Sequence, residues 1–365
     1  MKILFLSAAN STHTVRWVNA LAKRGHEVHL VSNRGHEPQE DILDLRVQVH
    51  IMKHSGMKGY YLNAAELKKI ERRLRPDVIN VHYASGYGTL ARKAHIKNYI
   101  LSIWGSDVYE FPYEGKLKNY ILKKNVSNAS FLASTSNCMA LQLKKVMNNY
   151  DLDVFITPFG VDLNIFNPRD KDDTKKNEII IGTIKALEDV YGIDELILAF
   201  DKVKQELARK QNNQKVKLYI YGSGSKKEQY EALVKRKNLQ EDVLFKGKIP
   251  NLTVPKALSE LDIFCALSRK ESFGVAAIEA MSMKKPVVVS DADGFKEVVE
   301  NEKTGLIVPR GNLEAAKEAI LKLIYDQKYR NILGEKGRKR VEDNYDWEKN
   351  VNTMVELYKK VSEAL

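Results

Sequence analysis

Apolar and polar positions follow one another along the chain in two long series, each a succession of short apolar runs separated by amphipathic segments. A short apolar run bounded by turn residues predicts a buried strand. In the first half the predicted strands are Ile3–Ser7, Glu27–Ser32, Val47–Met52, Asp77–His82, Tyr99–Ile103, Ser130–Ser134 and Val154–Thr157. In the second half they are Glu178–Thr183, Val216–Tyr221, Val243–Lys246, Asp262–Ala266, Pro286–Ser290 and Gly305–Val308.

Helices are predicted between most of these strands. From Thr14 to Lys23 apolar residues recur at helical spacing, and Gly25 follows as a C-terminal cap. The chain from Leu313 onward has helical periodicity to its end. This alternation of strands and helices is typical of parallel sheets that are covered by helices on both faces.

A charged segment separates the two series. Residues 167–177 have no apolar period and predict a linker. A chain of 365 residues also fits two domains better than one. We therefore predict an α/β protein with two doubly wound, Rossmann-like domains, 1–167 and 168–345, that face each other across a cleft. A C-terminal helix over 346–365 is expected to pack back toward the first domain.

The charge is unevenly distributed. The formal net charge is +12, and residues 1–165 contain 22 basic and 14 acidic residues. An excess of this kind indicates an anionic partner, such as nucleic acid, acidic lipid headgroups or a phosphorylated substrate. A solubilising surface is the alternative.

The cysteines and the apolar runs indicate the cellular compartment. Cys138 and Cys265 lie in apolar settings without partners at metal-ligand spacing, which favours small core residues in a reducing compartment. The first apolar run is short and lacks a cleavage pattern, so it predicts a strand rather than a signal peptide. No apolar stretch approaches the roughly 20 residues that span a bilayer. We expect a soluble, cytoplasmic protein.

The clearest candidate for a site is the segment from Ser268 to Met281, where a predicted strand ends in a polar turn and a helix begins around Phe273. The first turn of a helix presents free backbone N–H groups and a partial positive charge. Gly274 lets a ligand approach the backbone. Glu271 precedes the helix, and Glu279 lies a little over two turns further on roughly the same face. The alternative is that Glu271 is an N-terminal charge that favours the helix dipole and Glu279 is a surface residue.

This segment resembles the paired-glutamate signature of the family 4 retaining glycosyltransferases with the GT-B fold, also called glycosyl transferases group 1. The likeness extends over nearly the whole chain. It includes the segments 280–288, 293–298 and 303–309, the motif Pro-Phe-Gly-Val-Asp at 158–162, and Trp-Gly-Ser-Asp-Val at 104–108. It implies a GT-B enzyme whose first domain binds the acceptor and whose second domain binds a sugar nucleotide.

The resemblance also implies roles for individual residues. Glu279 would bind the nucleoside ribose, and Glu271 would hold hydroxyl groups of the donor sugar. Backbone amides would meet the sugar and the diphosphate at Phe273, Gly274 and Val275. The family's usual basic pair is missing, because Thr183 follows Gly182 and Tyr191 precedes Gly192. We assign the diphosphate to Lys185, with Arg269 or Lys270 as helpers.

A second departure concerns the first domain. Related enzymes often carry a histidine directly before the glycine that corresponds to Gly105, near the reacting centre, and this chain has Trp104 there. Asp107, His13 and His82 are the candidates for that role. A lone histidine is more often a hydrogen-bonded core residue, and Asp107 also suits a helix cap.

Other signals are weaker. The loop after Tyr221, which includes Gly222, lacks the complete phosphate-loop patterns and is expected to line the donor site. Two Asp-x-Asp spacings, at 151–153 and 291–293, are compatible with a metal-held diphosphate. We expect neither a metal nor a cofactor beyond the sugar-nucleotide co-substrate, because lysine and helix amides can stabilise the charge.

One segment could contact a membrane. The chain from Glu114 to Lys124 joins basic residues to Leu117, Tyr120 and Ile121, and Lys144 and Lys145 follow. Such a helix can rest on an anionic membrane surface, which would place the protein at the inner face of the membrane. An ordinary solvated helix is the alternative.

The expected reaction is transfer of a hexosyl unit, with retention, from a nucleoside-diphosphate sugar (UDP or GDP) to a lipid-linked or polysaccharide acceptor in cell-surface glycan synthesis. One alternative is a sugar-nucleotide epimerase or a phosphorylase on the same fold. A non-catalytic nucleic-acid-binding protein is another, prompted by the net charge, although no base-reading motif with stacking aromatics is present.

Overall fold

The computed structural model describes residues 1–39, 42–168 and 178–364. The chain forms two compact units. Unit 1 is Met1–Pro158 together with the chain from Glu348 onward, and unit 2 is Phe159–Trp347. The division lies earlier in the chain than the boundary at 167 because Val161 exchanges backbone hydrogen bonds with the segment from Tyr345 to Trp347 in unit 2. Most of the predicted linker, 169–177, lies outside the described residues.

Unit 1 is built on a seven-stranded parallel sheet in the order β3-β2-β1-β4-β5-β6-β7. The strands are β1 Lys2–Leu6, β2 Glu27–Arg34, β3 Val47–Ser55, β4 Val78–His82, β5 Ile100–Ile103, β6 Phe131–Ser134 and β7 Phe155–Ile156. Each coincides with a predicted strand to within a few residues. The central strands are apolar throughout because both faces of the sheet are covered.

The helices of unit 1 connect these strands. They are α1 Thr12–Lys23, α2 Gly56–Leu62, α3 Ala64–Leu74, α4 Gly86–Lys93, α5 Ser106–Tyr109, α6 Lys116–Asn128 and α7 Asn137–Met147. In α1 the residues Val15, Trp17, Val18 and Leu21 are buried, as expected for an amphipathic helix on a sheet.

Unit 2 is built on a six-stranded parallel sheet in the order β10-β9-β8-β11-β12-β13. Its strands are β8 Glu178–Ile184, β9 Lys215–Tyr221, β10 Val243–Gly247, β11 Ile263–Ala266, β12 Val287–Ser290 and β13 Leu306–Val308. The prediction of strands is confirmed here as well. The connecting helices are α8 Ile193–Arg209, α9 Lys227–Arg236, α10 Val254–Glu260, α11 Val275–Ser282, α12 Asp293–Val298, α13 Leu313–Tyr325 and α14 Gln327–Asn344.

The last helix, α15 Trp347–Glu363, returns to unit 1. The buried hydroxyl of Tyr358 accepts a hydrogen bond from Asn80 Nδ2 in β4 at 2.7 Å. Arg24, at the end of α1, forms an ion pair with Glu348. The helical tail is thus divided among α13, α14 and α15.

Among the described residues, no helix combines the length and the hydropathy needed to cross a membrane. The N-terminal apolar run forms strand β1, which is buried from Ile3 to Leu6. Both cysteines have free thiols, Cys265 buried in β11 and Cys138 half-buried at the start of α7.

Candidate active site

The turns that follow neighbouring strands form the carboxyl edge of the unit 2 sheet. Lys185 follows β8, Gly222 follows β9, and Glu271 lies in the turn after β11. Strand β8 lies between β9 and β11, so the direction of the connections changes beside it. Open α/β sheets bind their ligands at such a switch point. The structure therefore places three of the predicted donor residues at the expected edge.

Lys185 and Glu271 form an ion pair at this edge. Nζ of Lys185 lies 2.6 Å from Oε2 of Glu271, although the two residues are 86 positions apart. The side chains are only 10% and 13% exposed. Because so little water reaches the pair, its charges are screened less than those of a surface pair.

Two aromatic rings adjoin the Lys185 ammonium group. Nζ lies 5.0 Å from the ring centroid of Tyr191 and 5.7 Å from that of Phe295. At these distances the ring quadrupole attracts a cation. Neither ring is predicted from the sequence pattern to contact this lysine. Tyr191 stands out there only as the residue where the family usually carries a lysine.

Glycines allow the backbone of this edge to pack closely. A Cβ atom on Gly222, whose φ is +147°, would lie 1.9 Å from the carbonyl oxygen of Lys185. One on Gly192, whose φ is +62°, would lie 2.0 Å from the carbonyl oxygen of Leu267. Gly222 thus fixes the backbone of Lys185, and Gly192 fixes the turn that carries Tyr191 against the β11 loop.

The loop that carries Glu271 rests on the start of α12. The N–H of Gly294 donates to the carbonyl oxygen of Glu271 at 2.9 Å, and a Cβ on Gly294 would lie 2.4 Å from the nitrogen of Phe273. The buried ring of Phe273 makes edge contacts with Phe159 and Tyr345, at 5.4 and 5.8 Å between centroids. The side chain of Phe273 therefore anchors the loop.

Helix α11 begins at Val275, two positions later than the predicted start at Phe273, because Gly274 has φ +103° and caps the helix in the left-handed region. The intrahelical hydrogen bonds begin with the N–H of Ala277. The N–H groups of Val275 and Ala276 precede them, as expected for a first turn.

One face of α11 is accessible. Val275, Ala276 and Glu279 are half-buried, whereas Ala277 and Ile278 are buried. Residues three and four positions apart share one face of a helix. Glu279 therefore lies on the same face as the open first turn, which is the arrangement expected from the sequence.

Arg269 and Lys270 do not join this cluster in the same way. The Arg269 guanidinium forms a bidentate contact with Asp194 of α8, at 3.0 and 2.6 Å, and lies 3.1 Å from Glu195. Hydrogen bonding to Asp194 raises the pKa of Arg269. Two carboxylates thus hold this guanidinium at the start of α8, and its role toward a phosphate stays a prediction. Lys270 is exposed.

Aromatic rings and buried polar side chains lie at the carboxyl edge of the unit 1 sheet. His82, at the end of β4, is completely buried, and its ring lies 4.1 Å from the Phe5 ring and 4.2 Å from the Trp104 ring. Within the described parts of the chain, neither ring nitrogen of His82 has a hydrogen-bond partner. Burial lowers the pKa of His82 well below its usual value. The His82 ring is thus enclosed by two other rings, and its role near the reacting centre stays a prediction.

Asp107 is buried at the start of α5, and its carboxylate accepts backbone hydrogen bonds. Oδ2 accepts from the N–H of Ala84 at 2.9 Å, and Oδ1 accepts from those of Trp104 and Gly105 at 3.3 and 2.8 Å. Burial raises the pKa of Asp107, and these amides partly offset that effect. The contacts differ from a helix cap, because Gly105 is the N-cap of α5 and makes no side-chain cap hydrogen bond; the Asp107 carboxylate instead ties the turns after β4 and β5 together.

His13, in the first turn of α1, remains half-buried, and its ring makes an edge contact with Trp104 at 6.0 Å between centroids. Burial, followed by the charge of Arg16, lowers the pKa of His13 to about 4. The imidazole is therefore neutral at physiological pH, and of the two histidines beside Trp104 it is the more accessible.

Comparison with known proteins decides which class of protein this geometry belongs to. The model for glycosyl transferases group 1 matches residues 165–340, and the model for glycosyl transferase 4-like proteins matches residues 2–136. The chain belongs to the family 4 glycosyltransferases. It is an enzyme with the GT-B fold.

Individual proteins agree with this assignment. The glycosyltransferase is 24% identical to the N-acetyl-alpha-D-glucosaminyl L-malate synthase of Bacillus anthracis, over 93% of this chain and 90% of that one. It is 30% identical to the capsular polysaccharide biosynthesis glycosyltransferase CapM of Staphylococcus aureus, over 52% and 48% of the two chains. The solved structure of Anabaena HepE in complex with UDP superimposes with a TM-score of 0.80 at 17% identity, over 99% and 100% of the chains.

Both carboxylates of the second Asp-x-Asp pair, 291–293, have basic partners in the glycosyltransferase. Asp291 contacts Arg310, with Oδ1 2.9 Å from Nε, and Asp293 contacts Lys296 at 3.1 Å. In the part of the chain that the structure describes, no three His, Cys, Asp or Glu side chains form a group that could hold a metal ion.

Proposed function

We propose that this glycosyltransferase transfers a hexosyl unit from a UDP- or GDP-sugar, with retention at the anomeric carbon. Unit 2 binds the donor, and unit 1 binds a lipid-linked or polysaccharide acceptor of cell-surface glycan synthesis. The observation that carries the proposal is the Lys185–Glu271 pair, which stands at the switch point of the unit 2 sheet. No metal and no further cofactor take part in the proposed reaction.

The donor would lie along the accessible face of α11. Glu279 is on that face and would accept hydrogen bonds from the ribose hydroxyls, and the N–H groups of Val275 and Ala276 would meet the diphosphate. Glu271 would hold hydroxyl groups of the sugar. The structural similarity to HepE, which was solved with UDP, supports a uridine donor.

Lys185 would stabilise the diphosphate as it departs. The bond from the anomeric carbon to the diphosphate breaks, and a positive centre with oxocarbenium character develops on the sugar while negative charge develops on the leaving group. A largely buried cation stabilises the transition state most when it lies where that negative charge develops. The ion pair with Glu271 and the Tyr191 ring hold the ammonium group ready before the donor arrives.

The acceptor is assigned to unit 1 by the family resemblance and by charge. Residues 1–165 contain 22 basic and 14 acidic residues, which favours an anionic acceptor or acceptor carrier. The similarity to CapM supports a polysaccharide. His13 is the candidate for contact with the acceptor, since its neutral imidazole can accept a hydrogen bond from a hydroxyl group.

A thermal-shift panel tests donor binding. UDP, GDP and ADP, each with and without an attached hexose, are added to the protein, and a ligand at 100 times its Kd should stabilise the native state by about 2.7 kcal/mol. Glu279→Ala should abolish the shift with the preferred nucleotide. Glu335→Ala removes a carboxylate that is 63% exposed on α14 and should leave the shift intact. An undiminished shift in Glu279→Ala would contradict the ribose role.

The stereochemistry needs its own measurement. Once the panel identifies the donor, the anomeric configuration of the transferred sugar can be read from its proton NMR coupling constant before and after transfer. The same configuration in donor and product is expected. Inversion would refute retention while leaving transfer itself intact, and formation of an epimerised sugar nucleotide without acceptor would favour the epimerase alternative.

A further inference from the structure

Unit 1 carries a surface on which large apolar side chains are exposed among lysines. Tyr113, Leu117, Tyr120 and Leu141 are 61%, 71%, 58% and 58% exposed. They lie on α6, on the turn before it and on α7. Together with Lys116, Lys123, Lys124, Lys144 and Lys145 we call them the lysine–tyrosine surface.

The members of this surface on α6 lie on one face of the helix. Leu117, Tyr120 and Lys124 are spaced three and four positions apart and are exposed, whereas Leu122 and Val126 on the other side of α6 are buried. This spacing puts the exposed residues on one outward stripe of the helix.

Helix α7 continues the surface. The hydroxyl of Tyr113 accepts a hydrogen bond from Gln142 Nε2 of α7 at 2.7 Å. The neighbouring residue Leu141 is exposed, and Lys145 is exposed one turn later. The turn before α6 and the outer face of α7 therefore border each other.

The charge of this region has one sign. From residue 111 to residue 150 the sequence contains six lysines, one glutamate and no arginine or aspartate. The glutamate, Glu114, is paired with Lys118. Nζ of Lys124 lies 5.5 Å from the Tyr120 ring centroid, so the cation and the ring lie side by side on the surface.

We propose that the lysine–tyrosine surface binds an anionic lipid bilayer. Tyrosine side chains favour the membrane–water interface, and lysine stems lie along apolar surface while their ammonium groups reach the headgroups. Clusters of four to eight basic residues beside apolar groups bind acidic lipids, roughly in proportion to their charge.

The residue types favour lipid over another partner. Protein interfaces are depleted in lysine and use arginine instead, and this region has six lysines and no arginine. The inference deepens the proposed function, because it would bring the enzyme to the surface that holds a lipid-linked acceptor. Vesicle binding does not require the donor or the transfer reaction, so the two proposals can fail separately.

Co-sedimentation of the full-length protein with vesicles is the direct test. Vesicles of phosphatidylglycerol mixed with phosphatidylcholine should bind the protein at low salt, binding should weaken as salt is raised, and vesicles of phosphatidylcholine alone should bind it poorly. The charge reversal Lys116→Glu/Lys123→Glu/Lys124→Glu should reduce partitioning by about 100-fold or more. Leu117→Ser/Tyr120→Ser keeps every charge and should reduce it by about tenfold.

A matched control lies in unit 2. Lys227→Glu/Lys235→Glu/Arg236→Glu makes the same charge change at three exposed positions of α9 and should retain most of the binding. The substituted residues of both triple variants are exposed except Lys123, which is half-buried, and circular dichroism together with an unchanged melting temperature checks that each variant is folded.

Three outcomes would overturn the proposal. Equal vesicle binding by the α6 triple variant and the wild type would show that the surface is not the contact. Salt-sensitive binding to a single-stranded oligonucleotide, with no binding to anionic vesicles, would assign the surface to nucleic acid. A dimer in light scattering that the α6 triple variant dissociates, again without vesicle binding, would assign it to a second copy of the chain.

Discussion

The carboxyl edges of the two sheets have the same topology and opposite chemistry. In unit 2 the edge holds a charged pair, Lys185 and Glu271, with side chains 10% and 13% exposed. In unit 1 the corresponding edge holds His82, whose pKa is lowered by burial, and Asp107, whose oxygens accept backbone N–H groups. The difference teaches that topology places a site, while the residues at the strand ends decide whether charge can be used there.

The comparison also bears on our proposal that Lys185 takes the place of the usual basic pair. One lysine stands where two bases are customary, but it is enclosed by a carboxylate and two rings. A single cation in a poorly solvated place can act on a diphosphate as strongly as two solvated ones, because its field is screened less. Three substitutions test this contrast, from the largest expected effect to the smallest.

Removing the cation should have the largest effect. Lys185→Ala should lower kcat for transfer by about 100- to 1,000-fold, the usual result of deleting one group that stabilises transition-state charge. The measurement is acceptor-dependent release of nucleoside diphosphate. Lys202→Ala, which removes an exposed lysine of α8 that pairs with Glu314, should retain full activity. Loss of less than about tenfold in Lys185→Ala would mean that another group bears the leaving charge.

Removing the ring beneath the cation should have a smaller effect. A desolvated cation–π contact is worth about 2 kcal/mol, so Tyr191→Leu should weaken UDP binding by about tenfold or somewhat more. Tyr191→Phe keeps the ring face and should bind UDP within about twofold of the wild type. Isothermal titration calorimetry measures both. If Tyr191→Phe weakens UDP binding as much as Tyr191→Leu does, the hydroxyl group of Tyr191 rather than its ring supports binding.

The smallest effect is expected in unit 1, where His82→Phe replaces a buried imidazole with a ring of similar shape. Relief of the unpaired nitrogens should stabilise the fold by about 1 kcal/mol at neutral pH. The folded pKa of His82 lies well below 6.5, the value expected in the unfolded chain. As pH falls below 6.5 only the unfolded state gains this proton, so the wild type loses stability that the variant keeps.

Calorimetric melting curves at neutral and mildly acidic pH give this comparison. The difference in melting temperature between His82→Phe and the wild type should increase as the pH is lowered. Transfer activity at neutral pH should change by no more than about threefold. If His82→Phe lost most of its transfer activity while its melting temperature stayed unchanged, His82 would have to take part in the reaction.

Much of the fold could be predicted because parallel strands that are buried on both faces appear in the sequence as short, continuous apolar runs. Strand β12, with three consecutive valines, is recognisable from composition alone. The start of α11 was less accessible to such reasoning: its apolar run extends back to Phe273, but the left-handed conformation of Gly274 delays the first helical turn.

The candidate site was predictable as far as its contacts are local. Glu271 and Glu279 lie on one turn-helix segment, but only Glu279 is in the helix, so helical spacing relates Glu279 to the first turn of α11 and not to Glu271. The ion pair of Arg269 with Asp194 could not be predicted, because Asp194 is 75 positions away and no local pattern reports such a contact. For the same reason the Tyr191 and Phe295 rings around Lys185 emerge only from the folded chain.

The return of α15 to unit 1 has a consequence for biosynthesis. Unit 2 is one continuous stretch of chain, Phe159–Trp347, whereas unit 1 also needs residues from Glu348 onward, which the ribosome delivers only after unit 2. Until then Asn80 lacks its Tyr358 partner, and the strand that carries it is without its final cover. The half of the enzyme that is translated first should therefore be the half that matures last, and a nascent chain stalled before α15 would depend on chaperones at β4.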